Sequence, residues 1–255
     1  MFTRRVVLIN LGMMALEYVA CLGQGVRAQV FPHSAAPQFE PPYASAQGCG
    51  IEQMIREPGP RPRLASSGVK ELDENMTMER PVLNRFFRVT PDFAFHDDGK
   101  TPEALALPSP QGTQILLGLT LVKEEIRLNP KHWQVAIIGI LAHEWAHALQ
   151  YGSLLQEKKY KWETHADYMA GWYLGTKYAS GLPTINPAVF AHSLYEKGNK
   201  SGYFDPDKYG SPKQRVEAML AGFDFGRHDF RPNRRPDVWE AANRGYVHVS
   251  EREAK

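Results

Sequence analysis

The sequence predicts an α+β fold, in which a small mixed β-sheet packs against one buried helix and against several further helices. Two observations indicate this fold class. Short runs rich in aromatic and β-branched residues, which are typical of strands, occur between residues 85 and 117. Further along, the run at 133–142 is nearly all apolar, as expected of a helix that is buried along much of its length. A chain of 255 residues is long enough to bury a sizeable core.

Each element follows from its local residue pattern. Strands are expected at 85–89, 92–96, 104–107 and 113–117, with a turn at 97–100. Helices are expected at 119–127, through the apolar run that begins at 133, at 162–174, at 187–197 and at 212–221. The last of these helices begins with Ser211-Pro212-Lys213-Gln214, a capping-box pattern with proline at the first helical position.

The motif His143-Glu144-Trp145-Ala146-His147 continues the apolar helical run. A helix turns ~100° per residue, so the two histidines lie one turn apart on one face and can reach a common metal ion. Glu144 projects beside that ion, where a general base can take a proton from a metal-bound water. The motif therefore predicts one zinc ion per chain, with Glu144 as the base. Two histidines satisfied within the core would be the alternative.

A third protein ligand completes a catalytic zinc site. Position 153, six residues after His147, is Ser153, which excludes a third histidine at that spacing. The helical run at 162–174 offers Glu163, whose helix face carries small residues that allow a second helix to approach closely. Glu163 is therefore the expected third ligand, with His165 as the alternative.

Two further charged residues are candidates for the surroundings of this site. Asp167 lies four residues after Glu163 and shares its helix face. Metal-bound histidines usually donate their other ring N–H to a carboxylate, so we expect Asp167 to orient one of them; a solvated surface charge is the alternative. Arg215 lies in the first turn of a helix, where the dipole does not favour a cation. A salt bridge to the active-site region or a surface position would each explain it.

The two motifs, at 143–147 and 163–167, resemble those of the gluzincin metallopeptidases and are most similar to the small bacterial neutral zinc metallopeptidases. Three further segments match: Leu149-Gln150, Tyr168-Met169-Ala170-Gly171 and Gly210-Ser211-Pro212-Lys213-Gln214-Arg215. The resemblance covers about 91–225. It implies a zincin-like fold and hydrolysis of protein or peptide substrates. It also implies zinc binding by His143, His147 and Glu163, with Glu144 as the base and Asp167 orienting a histidine.

The resemblance also raises the question of how substrate is held. In these families an edge strand beside the zinc helix pairs with the peptide, and strand addition supplies main-chain hydrogen bonds. The strand at 113–117 is the candidate, which makes Gln114, Ile115 and Leu116 the expected substrate-binding residues; an interior strand is the alternative. The residue that stabilises the oxyanion is open, and the candidates are His192, Tyr203, Tyr209 and His228.

Two other functions compete with peptidase activity. One is a zinc-stabilised envelope protein that binds or chaperones other proteins without turnover. The other is a zinc amidase that acts on cell-wall material. The first is motivated by a long Pro-rich segment before the catalytic region and by the lack of a clear oxyanion residue.

The amino terminus predicts export to the periplasm or the medium. Residues 1–28 have the form of a signal peptide, with a basic start, an apolar run and a cleavage site after Ala28. The start, Thr3-Arg4-Arg5-Val6-Val7-Leu8, also resembles a twin-arginine export motif. Membrane association is expected only through this signal or through lipidation of Cys21, although Tyr18 makes the preceding residues a poor lipobox.

The remaining chain divides into three predicted regions. Residues 29–80 form a Pro-rich extension or linker with a short helix at 51–56, residues 81–230 form the catalytic domain, and 231–255 form a tail. The net charge of +2 is too balanced to favour nucleic-acid binding.

Overall fold

A computed structural model describes residues 62–251 except 101, 110, 153–158, 183 and 200–209. The expected signal peptide with Cys21, the helix at 51–56, and the oxyanion candidates Tyr203 and Tyr209 lie outside the described residues. The described chain is a mixed α+β structure of four strands and seven helices. This architecture confirms the α+β class and the small mixed sheet.

The strands are β1 (Arg63–Leu64), β2 (Asp92–His96), β3 (Ala104–Ser109) and β4 (Gly112–Gly118). The helices are α1 (Lys70–Phe87), α2 (Leu119–Leu128), α3 (Trp133–Gly152), α4 (Lys159–Ala179), α5 (Pro187–Asn199), α6 (Pro212–Asp229) and α7 (Val238–Glu251). The structure confirms three of the expected strands, at 92–96, 104–107 and 113–117, and all the helices expected from 119 onward. The helix α6 continues eight residues past its expected end at 221. None of the described helices has the length and apolar character that a membrane span requires.

The sheet has the strand order β1-β2-β4-β3. β4 runs parallel to β2, with Phe93 opposite Ile115, and antiparallel to β3, with Ala106 also opposite Ile115. The expectation that 113–117 is an edge strand is therefore wrong, because β4 has a partner on both sides. Within the described sheet the edge on this side is β3.

The prediction of a strand at 85–89 is also wrong, because residues 85–87 form the end of α1 and residues 88–89 follow it. Leu72, Met76, Leu83 and Phe87 recur at helical spacing in α1 and are buried. Burial of this face outweighs the β propensity of the aromatic residues at the helix end. The turn that ends α1 places Arg88 in the left-handed region at φ 55°.

Both ends of the described chain belong to the same apolar core. Leu72 and Met76 of α1 lie before residue 81, and Val238 and Ala241 of α7 lie after residue 230; all four are buried in the main core cluster. The packed part of the chain therefore extends beyond 81–230 in both directions. The segments expected to be a linker and a tail each contribute a helix to it.

The helix α3 crosses the centre of this core, and its side chains from Val135 to Gln150 are buried. The strand β3 and the helix α4 both pack against α3, and α6 packs against α4. α4 and α6 approach until their backbones touch: a Cβ built on Gly171 of α4 would lie 1.9 Å from the carbonyl oxygen of Met219 on α6. Glycine is required at such a crossing, and the contact brings α6 against α4.

Candidate metal centre

Three potential metal ligands converge from two helices. His143 and His147 lie one turn apart on α3, with ring centroids 4.5 Å apart and ring planes at 88°. Glu163, in α4, faces both: its Oε2 is 3.5 Å from His143 Nε2, and its Oε1 is 3.6 Å from His147 Nε2. Two ligands bound at about 2.0–2.1 Å to one tetrahedral ion lie roughly 3.4 Å apart, so the spacing suits a shared metal ion.

Three buried atoms of this group have no hydrogen-bond partner among the described residues. One of them, His143 Nδ1, contacts Asp167 as an ion pair; the other two are His147 Nε2 and Glu163 Oε1. Burying polar atoms without partners is costly, whereas one coordinated ion would satisfy both. His143, His147 and Glu163 together therefore can hold a metal ion.

His165, the alternative third ligand, does not face this group. Its Nδ1 is 2.9 Å from Gln150 Nε2, and its Nε2 is 3.0 Å from the carbonyl oxygen of Ala242. Both ring nitrogens are thus engaged elsewhere, and the alternative assignment is wrong. Burial lowers the pKa of His165 to about 4.

The three ligand side chains differ in their electrostatics. Burial lowers the pKa of His143, but the charge of Asp167 and the hydrogen bonds with Asp167 and Glu163 outweigh burial and raise it to about 10. Burial dominates at His147 and lowers its pKa to about 4. Burial opposes the charged form of Glu163, yet the charges of His147, His143 and Arg215 hold its pKa well below the usual range. A histidine binds a metal without its proton, so metal binding at His143 competes with a proton.

Glu144 lies beside the ligand group without belonging to it. Its carboxyl is buried, and burial is the main reason that its pKa rises to about 7, while a hydrogen bond from the Ala106 backbone N–H acts in the opposite direction. A carboxyl with a pKa near neutrality can take up and return a proton at neutral pH. Ala106 belongs to β3, so this carboxyl is tied to the edge strand.

His143 is supported by a buried ion pair. Asp167 Oδ1 lies 2.9 Å from His143 Nδ1. The carboxylate in turn accepts two hydrogen bonds from Arg215, at 2.6 Å from Nε and 2.9 Å from the terminal nitrogen. Both partners are buried, so the salt bridge, rather than the surface position, accounts for Arg215. Its guanidinium also lies 3.9 Å from Glu163 Oε2 and adds positive charge behind the ligand.

His147 is supported by a neutral network. Gln150 Oε1 lies 2.7 Å from His147 Nδ1, and Gln150 Nε2 donates to the carbonyl of Trp162 at 3.0 Å and contacts His165 at 2.9 Å. Sequence reasoning assigned Gln150 no role. Its position three residues after His147, on the same helix face, is the signal that would have found it.

The expected substrate-binding residues on β4 are not exposed in the way that role requires. Ile115 and Leu116 are buried in the interior of the sheet, and Gln114 lies on the same doubly paired strand. Two oxyanion candidates are exposed rather than buried. His192 is exposed and lies 3.9 Å from Glu196, and His228 is exposed with Nδ1 2.8 Å from the carbonyl of Asp224.

Fold and site together define an α+β protein with a buried His-His-Glu group that can hold a metal ion. No protein-family model matches the chain, and no curated protein and no solved structure matches it. The functional assignment therefore depends on the geometry of the site and on the chemistry of its residues.

Proposed function

We propose that this protein is an exported zinc metallopeptidase with a zincin-like fold, which hydrolyses internal peptide bonds of protein substrates. One observation carries the proposal. The ligand atoms of His143, His147 and Glu163 lie within 4.8 Å of one another, and Glu144 lies next to the two histidines on α3. Export is inferred from the amino-terminal 28 residues.

The donor set supports zinc rather than a hard cation. Two imidazole nitrogens and one carboxylate are the protein ligands of many catalytic zinc sites, whereas magnesium and calcium prefer oxygen ligands. A bound zinc ion would polarise the scissile carbonyl and lower the pKa of a water ligand towards about 7.

Glu144 performs the proton transfers in this proposal. Its carboxylate accepts the proton of the attacking water and then donates it to the leaving amine. Burial holds the pKa of Glu144 to about 7, so both protonation states are accessible near neutral pH. The Ala106 N–H keeps the carboxyl in place during the exchange.

The edge strand β3 is the proposed peptide-binding element, in place of β4. Its residue Ala106 is hydrogen-bonded to Glu144, and its carbonyl accepts a hydrogen bond of 3.1 Å from Tyr151 on α3. Both of these backbone groups are engaged within the protein and Ala106 is 2% exposed, so a peptide that adds to β3 would have to displace these contacts before it pairs beside Glu144. Main-chain pairing of this kind recognises extended peptides with little dependence on side chains, which fits a peptidase.

The test is zinc content and casein cleavage, measured on the wild type and on Glu144→Gln. We expect one zinc per chain in both, with cleavage reduced by about 10²–10⁴-fold in the variant because the proton acceptor is lost. Glu74→Gln, at an exposed site on α1, is the matched control and should keep full activity. Full activity of Glu144→Gln would refute the assignment.

Other outcomes select the competing functions. One zinc per chain without cleavage of casein in the wild type would favour the zinc-stabilised binding protein or the zinc amidase. Release of fragments from purified cell wall would then identify the amidase. Folded protein that binds no zinc would overturn the site itself.

A further inference from the structure

A continuous hydrogen-bonded chain joins the helix α7 to His147. It runs from the carbonyl of Ala242 to His165 Nε2 at 3.0 Å, from His165 Nδ1 to Gln150 Nε2 at 2.9 Å, and from Gln150 Oε1 to His147 Nδ1 at 2.7 Å. The three side chains are at most 3% exposed. The network lies on the far side of His147 from the ligand group, and peptidase chemistry as proposed above does not use it.

Two backbone carbonyls, those of Ala242 and Trp162, set the direction of the hydrogen bonds in this chain. A backbone carbonyl only accepts, so His165 Nε2 must carry a hydrogen to reach Ala242. The Gln150 amide is oriented by the carbonyl of Trp162, which lies 3.0 Å from its nitrogen and would repel its oxygen. One amide hydrogen then goes to Trp162 and the other to His165 Nδ1, which must be the bare, accepting nitrogen.

The same polarity continues to the ligand. With its nitrogen committed to Trp162 and His165, Gln150 presents its oxygen to His147 Nδ1. An oxygen without hydrogens can only accept, so His147 carries its hydrogen on Nδ1 and leaves Nε2 bare. Nε2 is the nitrogen that faces Glu163, at 3.6 Å.

We propose that Gln150 and His165 are positioning residues that hold His147 in the metal-binding tautomer, and that the carbonyls of Trp162 on α4 and Ala242 on α7 set the direction of their hydrogen bonds. The proposal rests on the proposed metal site but not on peptidase activity. It assigns a function to the helix α7, whose Ala242 carbonyl is connected to His147 through His165 and Gln150.

The fit of α7 is consistent with this role. Gly245 lies over the end of the network: a Cβ built on it would be 3.1 Å from His165 Cδ2 and 2.8 Å from Tyr168 Cδ1. A side chain at this position would push α7 away from His165. Glycine therefore allows the helix backbone to come close enough for the Ala242 carbonyl to reach the ring.

The experiment compares Gln150→Leu and Gln150→Glu with the wild-type full chain. Long-range ¹H–¹⁵N correlation of the histidine rings reports the His147 tautomer without added metal, and chelator competition with Zn²⁺ reports affinity. For the wild type we expect the Nδ1–H tautomer. For Gln150→Leu we expect a substantial Nε2–H population and zinc affinity reduced by about 10–100-fold, as for other residues that orient metal-binding histidines.

The variant Gln150→Glu distinguishes the hydrogen bond that orients His147 from the space that the Gln150 side chain fills. Burial favours the protonated carboxyl, whose carbonyl oxygen still accepts from His147 Nδ1 and whose O–H can donate to Trp162, so zinc affinity should return to within about tenfold of the wild type although the contact to His165 is lost. His165→Phe keeps the acceptor of Gln150 and should weaken zinc binding less than Gln150→Leu. Gln134→Leu, on the same helix and hydrogen-bonded to Glu71 at the surface, is the matched control and should leave affinity unchanged.

Two results would overturn the proposal. One is an Nε2–H tautomer of His147 in the wild type. The other is a Gln150→Leu variant that keeps both the wild-type tautomer and the wild-type zinc affinity. Neither depends on casein cleavage, so a protein that binds zinc but cleaves nothing would remove the peptidase assignment and leave this inference standing.

Discussion

The two histidines of the candidate metal centre share a helix and lie 4.5 Å apart, yet the protein supports them by different means. His143 is backed by a charged pair, Asp167 and Arg215, whereas His147 is backed by a neutral amide and a second imidazole. The pKa values diverge accordingly, to about 10 for His143 and to about 4 for His147. A charged partner and a neutral hydrogen-bond acceptor are therefore two different ways to orient a histidine of the candidate metal centre.

The difference also distributes the support over two helices. The charged branch depends on α6, which carries Arg215, and the neutral branch depends on α7, which carries Ala242. A buried charge becomes costly once its partner is removed, while a neutral acceptor can be replaced at lower cost. We therefore expect damage to the charged branch to reduce stability most, and damage to the neutral branch to alter metal affinity with less loss of stability.

The largest effect is expected from Arg215→Met. Removing the guanidinium leaves the Asp167 carboxylate buried without its main partner, which typically costs about 3–5 kcal/mol in the free energy of unfolding. Urea denaturation of the full chain measures this loss. Arg227→Met is the matched control on the same helix, because its ion pair with Asp224 is solvent-exposed and should contribute less than about 1 kcal/mol. Equal losses in the two variants would contradict a special role for the charged branch.

A smaller effect is expected from Gly171→Ala at the crossing of α4 and α6. The new Cβ would lie 1.9 Å from the Met219 carbonyl oxygen, so the helices must separate, and Arg215 moves away from Asp167. Overpacking of this kind costs about 1–3 kcal/mol. Gly245→Ala on α7 should cost less, since its nearest neighbour is the side chain of Tyr168 at 2.8 Å. Urea denaturation of both variants checks this order, and the reverse order would mean that α7 is packed more rigidly than α6.

The smallest effect is expected from Ser211→Ala at the start of α6. Ser211 accepts a hydrogen bond of 3.2 Å from the Gln214 N–H, and Gln214 Oε1 accepts one of 2.7 Å from the Ser211 N–H. Loss of the cap should destabilise the protein by about 1 kcal/mol and loosen the turn that carries Arg215. Thermal unfolding measures the loss. The His147 tautomer should stay unchanged, and a change there would show that the two branches are coupled.

Local sequence was sufficient for the parts of the site that one helix controls. The spacing of His143 and His147 places both rings on one face of α3 whatever surrounds it, because helical periodicity is a property of the backbone. The cap at Ser211 and the strand at 92–96 were likewise predictable, since their causes lie within a few residues. The apolar run before the motif also predicted that α3 would be buried.

Tertiary structure alone decided which distant groups meet these side chains. Arg215 reaches Asp167 across 48 residues, and Ala242 reaches His165 across 77. A residue pattern shows which face of an element is apolar but not which element will cover it. The same reason applies to β4, for which the family resemblance implied an edge strand, because nothing in residues 113–117 reveals that β3 pairs with the other side of the strand. The sequence by itself determined which side chains α3 brings to the candidate metal centre, whereas only the packing of α4, α6 and α7 determined how each of them is held.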